Sequence, residues 1–571
     1  MNRIWRALQG WATGGPERLA AQPLIAGYRR GVAPGWAMLA ILALAIACFV
    51  YGFYFSVMAP ARIMPFTVPL AILTGLVVWA LPAGAKAPSK AIEPLLFAFT
   101  IALLIWPNYL AIALPSLPWM TMLRIIVVPL ILVLLICMSV SVEFRRKLKD
   151  VLLTDRTLAR LFIMLVALQT ITMPLSADIG ESINRYIIAQ MNWTIIFIAA
   201  AIVFVRRGFA EHWTIALLVA MTILCALGIW ESRLHHVPWA GNIPSIFRIE
   251  DPLVQRILAG ASRAATKVYR VQGPSTTPLG FAELLGLAVP FAIHFALERY
   301  HTALRVLAAL FLPLSVYVIL LTDSRLGVVA ALASVMIYLL IWGLIRWRQE
   351  PGGLIGPALV LTYPALFVGA VAATFFIGRI RNEVWGNGAQ QASNDSRQVQ
   401  WEMAIPKIFK NPIGHGIGQG GETLGFFNRA GVGTIDSYYL SILLEIGILG
   451  FVVYYGLMLR GAWIAARTVI DSPRDREIRL LIPLAVSLLN YVVVKSVLSQ
   501  EANHPLAFIM LGASVALVYR ATKLDAPALA AAIPAGRAAR KADLGWLPLI
   551  GILGLASAAT AATLVLIRGG L

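Results

Sequence analysis

Apolar runs of roughly 20 residues recur along the whole chain, and this feature limits the possible folds more than any other. Residues 36–57 and 354–378 are two of these runs. A helix of that length crosses about 30 Å of hydrocarbon and keeps its backbone hydrogen bonds internal. The charged fraction of 13% agrees with this, since soluble domains carry about 25% charged residues. The sequence therefore predicts an all-α polytopic membrane protein.

Hydropathy predicts about 14 or 15 transmembrane helices. We expect them to begin near Trp36, Met64, Pro94, Met120, Leu161, Ile187, Trp213, Thr277, Leu304, Gly327, Leu354, Tyr438, Leu480, Pro505 and Trp546. The segment between Glu143 and Arg160 is rich in Lys and Arg, which places it in the cytoplasm by the positive-inside rule. Alternation from there puts the N-terminus and the other basic connectors on the same side.

This topology predicts the organisation of the chain. The expected parts are a cytoplasmic amphipathic N-terminus (1–35), an N-terminal transmembrane bundle (36–230), a first outer loop with a basic amphipathic helix (231–276), a transmembrane core (277–378), a large second outer loop (379–436), a C-terminal transmembrane core (437–520), a cytoplasmic loop (521–545) and a terminal transmembrane helix (546–571). Long hydrophilic loops between spans are usually functional or disordered. The two outer loops contain aromatic residues among their charges, so we expect ordered lids.

The net charge of +20 does not indicate a nucleic-acid partner, because most Lys and Arg lie in short loops beside apolar runs. Cys48, Cys137 and Cys225 all fall inside apolar runs. We therefore expect buried thiols, without a disulfide framework or a cysteine-based metal site. No cofactor is expected.

The first outer loop contains a candidate helix at 252–270, with Asp251 as its N-cap. Its basic residues form one stripe, which consists of Arg256, Arg263, Lys267 and Arg270. The stripe suits either anionic headgroups at the membrane surface or a wall that collects a phosphate-bearing substrate. Gly273 and Pro274 then break the helix, which predicts free backbone amides beside Arg270. Arginine with free amides suits a pyrophosphate.

The second outer loop carries a series of short motifs. They read NDSRQVQW at 394–401, NPIGHGIG at 411–418, DSYYL at 436–440 and EIGILG at 445–450. The glycines of the second motif do not match a phosphate-cradling P-loop, which needs a following Lys-Ser/Thr. Nucleotide hydrolysis is therefore rejected.

The order of these motifs resembles the C-terminal signature of the O-antigen ligase and polymerase (Wzy/WaaL) superfamily. The elements are Arg-x3-Trp, Asn-Pro-x-Gly-x-Gly-x-Gly, Ser-x-Tyr-Leu and Glu-x-Gly-x-x-Gly. Arg270-x-x-Gly273-x4-Pro278 and the SRLG sequence at 324–327 resemble the upstream motifs of that family. The resemblance covers roughly residues 269–450, about a third of the chain.

This resemblance implies a metal-independent, inverting glycosyltransferase of GT-C-type architecture in the bacterial inner membrane, with its active site facing the periplasm. Such enzymes transfer a glycan from undecaprenyl pyrophosphate to an acceptor hydroxyl. By motif, Arg270 and Arg397 correspond to the arginines thought to hold the pyrophosphate, and Arg325 is a further candidate. The basic stripe, His415 and Glu283 are the other candidates for substrate binding. A loop histidine and an interior ion pair are the structural alternatives for His415 and Glu283.

Asp436 departs from the family pattern, because ligases of this family typically place a histidine before Asn-x-Tyr-Leu. A carboxylate can still accept a proton from an acceptor hydroxyl, so Asp436 is a catalytic candidate. Its alternative role is that of N-cap for the span that begins at Tyr438. By analogy, the aspartate fits the polymerase branch better than the ligase branch.

The sequence thus favours a polymerase of exopolysaccharide or O-antigen repeat units. Its expected partners are an undecaprenyl-pyrophosphate-linked oligosaccharide, an acceptor glycan, a chain-length regulator and export proteins. Ligation of the glycan to lipid A core or to protein is an open alternative. A lipid-linked sugar flippase or another transporter belongs to a different class. It is disfavoured, because transporters are expected to place charges near the membrane midplane and here they cluster in outer loops.

Overall fold

The computed structural model describes a large part of the chain. The described residues are 46, 50, 64–79, 81, 87–112, 120–249, 254, 255, 258, 269–349, 352–376, 378, 381, 391–427, 433–471 and 475–524. The basic-stripe residues Arg256, Arg263 and Lys267 lie outside them, and so does Cys48. Cys137 and Cys225 are buried thiols, as expected.

Helices dominate the described residues. They are α1 (Met64–Trp79), α2 (Ile92–Ile105), α3 (Met122–Val140), α4 (Val142–Leu152), α5 (Arg156–Thr172), α6 (Ile179–Ala189), α7 (Ile196–Val203), α8 (Phe209–Leu234), α9 (Pro278–Leu297), α10 (Thr302–Leu321), α11 (Arg325–Gln349), α12 (Ile355–Phe376), α13 (Gln391–Lys410), α14 (Gly420–Leu424), α15 (Tyr438–Glu445), α16 (Gly447–Asp471), α17 (Leu481–Lys495) and α18 (His504–Tyr519). A π-helical turn, Gln190–Ile195, joins α6 to α7. Short 3-10 turns precede α2 and α17 and follow α5.

Eleven of the described helical segments are long and apolar enough to cross a membrane. Each corresponds to a span expected from hydropathy, so the all-α polytopic membrane class is confirmed. The spans expected near Met64 and Pro94 are the shorter helices α1 and α2, with 16 and 14 residues. Those expected near Trp36 and Trp546 lie outside the described residues.

One expected span begins at a different residue. Instead of one helix from Tyr438, the chain forms the eight-residue helix α15, breaks at Ile446 and starts α16 at Gly447. Gly447 has a φ of +74°, a left-handed conformation that only glycine adopts readily. A Cβ there would also stand 2.2 Å from the Pro412 carbonyl oxygen. The break therefore lets the glycine motif at 411–418 dock against the helix junction.

The chain divides into two compact units. Among the described residues, the smaller unit comprises those that fall within 1–95, 111–149 and 246–248, and it holds a small antiparallel sheet in the order β2-β1-β3. Its strands are β1 (Ala111–Ile112), β2 (Met120–Thr121) and β3 (Phe247–Arg248).

The larger unit contains the candidate site residues Arg270, Arg325, Arg397 and Asp436. Its interior is formed by the spans Pro278–Leu297, Ile478–Lys495 and His504–Leu524, which are 83–89% buried. The span Ile355–Phe376 is 6% buried and forms part of the surface. The polar motifs therefore lie at the ends of a well-packed helical bundle.

Candidate functional site

The turn that carries Arg270 is held by a buried carboxylate. Glu231, near the end of α8, has no exposed surface. It accepts hydrogen bonds from the Tyr269 hydroxyl at 2.8 Å and from the backbone N–H groups of Gln272 at 2.9 Å and Gly273 at 2.8 Å. These partners flank Arg270 on both sides, so Glu231 fixes the path of the turn. The sequence placed Glu231 at the start of the first outer loop, whereas α8 continues to Leu234.

The backbone amides beside Arg270 are not free, and the expectation that they would hold a phosphate is wrong. The N–H groups of Gln272 and Gly273 donate to Glu231, and the Val271 N–H donates to the Leu321 carbonyl at 3.2 Å. The turn does bind an anion, but that anion is the Glu231 carboxylate of the same protein. The turn therefore positions a guanidinium group rather than a set of open amides.

The Arg270 side chain reaches the turn between α10 and α11. Its Nε donates to the Thr322 carbonyl at 2.8 Å, and its Nη2 donates to the Asp323 carbonyl at 3.3 Å. Asp323 has a φ of +49°, in the left-handed region that aspartate tolerates better than most residues. This reversal brings the chain from the end of α10 at Leu321 to the start of α11 at Arg325, and Arg270 is bonded to the middle of it.

Arg325 connects this turn to the second outer loop. Its Nη2 donates to the Asn394 Oδ1 at 2.9 Å. Asn394 lies in α13, and Arg397 follows it one turn later in the same helix. The three arginines that the motifs single out therefore lie on elements that are bonded to one another.

Asp436 lies beside Arg397 and Gln400. The Asp436 N–H donates to the Gln400 Oε1 at 2.9 Å, and Arg397 is the positive charge that acts most strongly on the Asp436 carboxyl group. Burial raises the pKa of Asp436, while Arg397 and Gln400 offset part of that increase. Asp436 is thus hydrogen-bonded to the helix that carries Arg397, and the charge of Arg397 acts on its carboxyl group.

The N-cap role considered for Asp436 is wrong. The N-cap position of α15 belongs to Ser437, whose hydroxyl donates to the Ser496 carbonyl at 2.6 Å instead of capping the helix. Asp436 lies one residue too early to cap the helix.

The glycine motif packs against α6. The Ser182 hydroxyl donates to the Ile417 carbonyl at 2.8 Å. Gly418 has a φ of +82°, and a Cβ there would stand 2.4 Å from the Arg185 Cγ. The backbone N–H of Gly418 also donates a hydrogen bond to the Glu445 carboxylate. Glycine is thus required for backbone conformation and for close approach, which explains the motif without a bound nucleotide.

His415 ties the glycine motif to the end of α15. Its backbone N–H donates to the Leu444 carbonyl at 2.8 Å, and its ring Nδ1 lies 3.0 Å from the same oxygen. These contacts support the structural alternative for His415, because one ring nitrogen is already used within the protein.

Glu283 lies in the bundle interior, which supports the ion-pair alternative considered for it from the sequence. It forms an ion pair with Lys495 at 2.8 Å in which both side chains are fully buried. The Asn503 amide also donates to its carboxylate at 3.0 Å. Glu283 therefore stabilises the bundle interior, through a lysine instead of the arginine considered from the sequence.

A third loop, residues 496–503, completes the site region, and no sequence motif pointed to it. The Thr277 hydroxyl donates to the Gln500 side chain at 2.9 Å, which joins this loop to the start of α9. The bond from Ser437 to Ser496 joins it to the residue next to Asp436. The loop therefore connects the arginine turn of the first outer loop with the end of the second.

Within this third loop, the Glu501 side chain is exposed. The charges of Arg185, Lys495 and Glu445 act on its carboxyl group. A single acidic residue in a short loop gives no signal in the sequence.

An apolar groove lies among α9, α10 and α11 and has a volume of about 490 Å³. Val289, Pro313, Leu320, Val328 and Leu332 are among its lining residues. Pro313 cannot donate a backbone hydrogen bond inside α10, which loosens the helix at this point. Along α10 the groove ends at Leu320, directly before the turn that binds Arg270. The last groove residue of α10 is therefore two positions before Thr322, whose carbonyl binds Arg270.

The fold and the site define a multi-pass membrane protein with three arginines and a carboxylate on linked elements at the ends of its spans. Residues 308–455, about a quarter of the chain, match the family model described as O-antigen ligase, so this segment is similar to that family. This family acts in surface-polysaccharide assembly. No curated protein matches the chain. The matched segment includes Arg325, Arg397 and Asp436, whereas Arg270 lies before it.

Proposed function

We propose that this protein is a polymerase of bacterial surface-polysaccharide repeat units. It transfers a glycan from undecaprenyl pyrophosphate to an acceptor sugar hydroxyl at the periplasmic face of the inner membrane. The supporting observation is the linkage of Arg270, Arg325 and Arg397 through the turn at 322–324 and the bond to Asn394, with Asp436 next to Arg397.

The arginines suit the leaving group of this reaction. Negative charge grows on the pyrophosphate as its bond to the sugar breaks, and guanidinium groups bind phosphate oxygens through paired N–H donors. Two N–H groups of Arg270 are bonded to backbone carbonyls, which fixes the orientation of its guanidinium plane. A preorganised cation of this kind stabilises the developing charge without first having to reorient.

Asp436 suits the acceptor side. In the proposed step the acceptor oxygen bonds to the anomeric carbon, the bond from that carbon to the pyrophosphate oxygen breaks, and the hydroxyl proton passes to the Asp436 carboxylate. The reaction is an inverting, metal-independent displacement in a GT-C-type enzyme. The raised pKa of Asp436 makes its carboxylate a better proton acceptor than an ordinary aspartate.

The apolar groove fits a lipid-linked donor. Its length along α10, from Leu312 to Leu320, is about 12 Å at 1.5 Å per residue. A prenyl chain lying there would bring its pyrophosphate to the turn bonded by Arg270. A donor that enters sideways from the membrane explains why the site lies where the spans end.

A polymer assay in the producing strain tests the proposal. Arg270→Ala, Arg397→Ala and Asp436→Ala should each shorten or abolish the polymer while lipid-linked repeat units accumulate on the outer leaflet. The exposed Arg233→Ala is the matched control and should leave the polymer unchanged. Near-normal chain length in all three variants, at normal protein levels, would exclude the proposed site. Repeat units held on the inner leaflet would indicate a flippase instead.

Ligation remains the second candidate, because the matching family model carries the description O-antigen ligase. Transfer of a polymer to lipid A core or to a protein by the purified enzyme would favour it. Elongation of the lipid-linked glycan itself would favour the polymerase.

A further inference from the structure

We infer that Glu231 is a positioning residue for the pyrophosphate site: its buried carboxylate fills the anion-binding turn next to Arg270 and thereby sets the position of the Arg270 guanidinium. The inference rests on the proposed function. It assigns to Glu231 a role that neither the motifs nor the family match indicates, because Glu231 lies before the matched residues 308–455.

The hydrogen-bond pattern requires a carboxylate. The Glu231 Oε1 accepts from the Tyr269 hydroxyl and the Gln272 N–H, and its Oε2 accepts from the Gly273 N–H. Both oxygens therefore face donors. An amide at this position would direct its own N–H2 group at one of these donors, whichever way it turned. A glutamine is the same size, but it cannot reproduce the contacts.

The turn transmits the position of Glu231 to Arg270. Tyr269 precedes Arg270, while Gln272 and Gly273 follow it, so the Glu231 carboxylate is hydrogen-bonded to residues on both sides of Arg270. The Val271 N–H bonds to the Leu321 carbonyl, and the Arg270 side chain bonds to the next two carbonyls, those of Thr322 and Asp323. The backbone of Val271 and the side chain of Arg270 thus bind three consecutive carbonyls, which begin at the last residue of α10. Loosening the Glu231 contacts would let Arg270 slip along these carbonyls.

The surroundings keep Glu231 in place. Burial raises the pKa of Tyr269, and the nearby Glu231 charge raises it further, so the hydroxyl stays protonated and remains a donor. On the other side of the turn, a Cβ at Gly273 would stand 3.2 Å from the Phe281 ring, and its φ is +56°. The turn is therefore confined between α8, which carries Glu231, and α9, which carries Phe281.

Binding of undecaprenyl pyrophosphate to the purified full-length protein tests the inference without depending on turnover. We expect Glu231→Gln to weaken the Kd by about tenfold, as befits a lost hydrogen bond to a charged group. Arg270→Lys should weaken it as well, and the double variant should bind no more weakly than Arg270→Lys alone, because both changes remove the same placed guanidinium. Tyr269→Phe, which leaves the carboxylate and two of its three donors, should produce a smaller loss.

The controls separate a positioning role from a structural one. Arg233→Ala, an exposed change two residues away on α8, should bind like the wild type. If Glu231→Gln does not fold, Tyr269→Phe, Arg270→Lys and their double variant form an equivalent double-mutant cycle. Losses that multiply in the double variant would overturn the inference, since they would show independent effects.

The outcomes also distinguish this inference from the proposed function. Wild-type affinity in Glu231→Gln together with weak binding in Arg270→Lys would overturn the role of Glu231 and leave the transferase site standing. A wild-type protein that does not bind undecaprenyl pyrophosphate would overturn the proposed function itself.

Discussion

The Arg325 guanidinium donates to the Asn394 side chain at 2.9 Å, and this bond joins two residues that are 69 positions apart in sequence. One end belongs to the turn that binds Arg270, and the other belongs to the helix that carries Arg397. The contact therefore links the two halves of the proposed site.

Removing this link should weaken catalysis in a defined way. We expect Asn394→Ala to lower kcat/KM by about tenfold and Arg325→Ala to lower it by about 10- to 100-fold, as losses of one or more charged hydrogen bonds. The double variant should match Arg325→Ala. Initial rates with a lipid-linked donor measure these effects. Asp395→Ala, an exposed neighbour, is the control, and an equal loss in that variant would count against a specific role of the bond.

The acid limb of the pH–activity profile should report on Asp436. As the proton acceptor, this carboxylate must be ionised, so activity is present above its pKa and is lost as the pH falls through it. Because burial raises that pKa, the loss should occur at a higher pH than for an ordinary aspartate. Gln400→Met removes a contact that lowers the pKa of Asp436, so the acid limb should move to higher pH.

The matched control for this profile is Gln398→Met, two residues away on the same helix, where a glutamine is bonded to Glu402. Its acid limb should coincide with that of the wild type. A Gln400→Met limb that stays in place or moves to lower pH would refute the assignment of Asp436 as the base.

The buried pair of Glu283 and Lys495 should be critical for stability. Lys495→Met leaves the Glu283 carboxylate buried without its cation, which should cost about 3–5 kcal/mol of unfolding free energy. Adding Glu283→Gln removes the stranded charge and keeps an acceptor for Asn503, so the double variant should regain most of that loss. Denaturant titration of the detergent-solubilised protein measures both. A double variant less stable than Lys495→Met would contradict the account.

Filling the apolar groove should affect long-chain donors selectively. Leu332→Trp places a bulky ring in the groove, so the KM for an undecaprenyl donor should rise by about tenfold, since each buried methylene contributes about 0.8 kcal/mol. A donor with a short prenyl chain should be unaffected. Leu310→Trp is the control, because Leu310 is exposed on α10 and does not line the groove. Equal effects on both donors would argue against a lipid site.

Much of the architecture could be predicted from the sequence, because a membrane restricts it so strongly. Helix length and hydropathy are local properties, and they identified all eleven long apolar helices of the described residues. The motifs also selected Arg325 and Arg397, which the structure links through Asn394 and α13.

The remaining features depend on contacts between distant residues. The amides beside Arg270 looked free because their acceptor, Glu231, lies 41 and 42 residues earlier in the chain. Glu283 looked available because its partner Lys495 belongs to another span. Spacing alone could not reveal either partner, since both arise when the helices pack.

The docking of the glycine motif on α6 limits how this protein can be recombined with its relatives. The motif lies in the segment that matches the family, whereas Ser182 and Arg185, which it touches, lie well before that segment. Because a Cβ at Gly418 would meet the Arg185 stem, the two surfaces must change together. A chimera that exchanges residues 308–455 alone would place a foreign glycine motif against the original α6 surface, and the side chains of the two surfaces would not be matched. Exchanging α6 along with the segment should keep the two surfaces compatible.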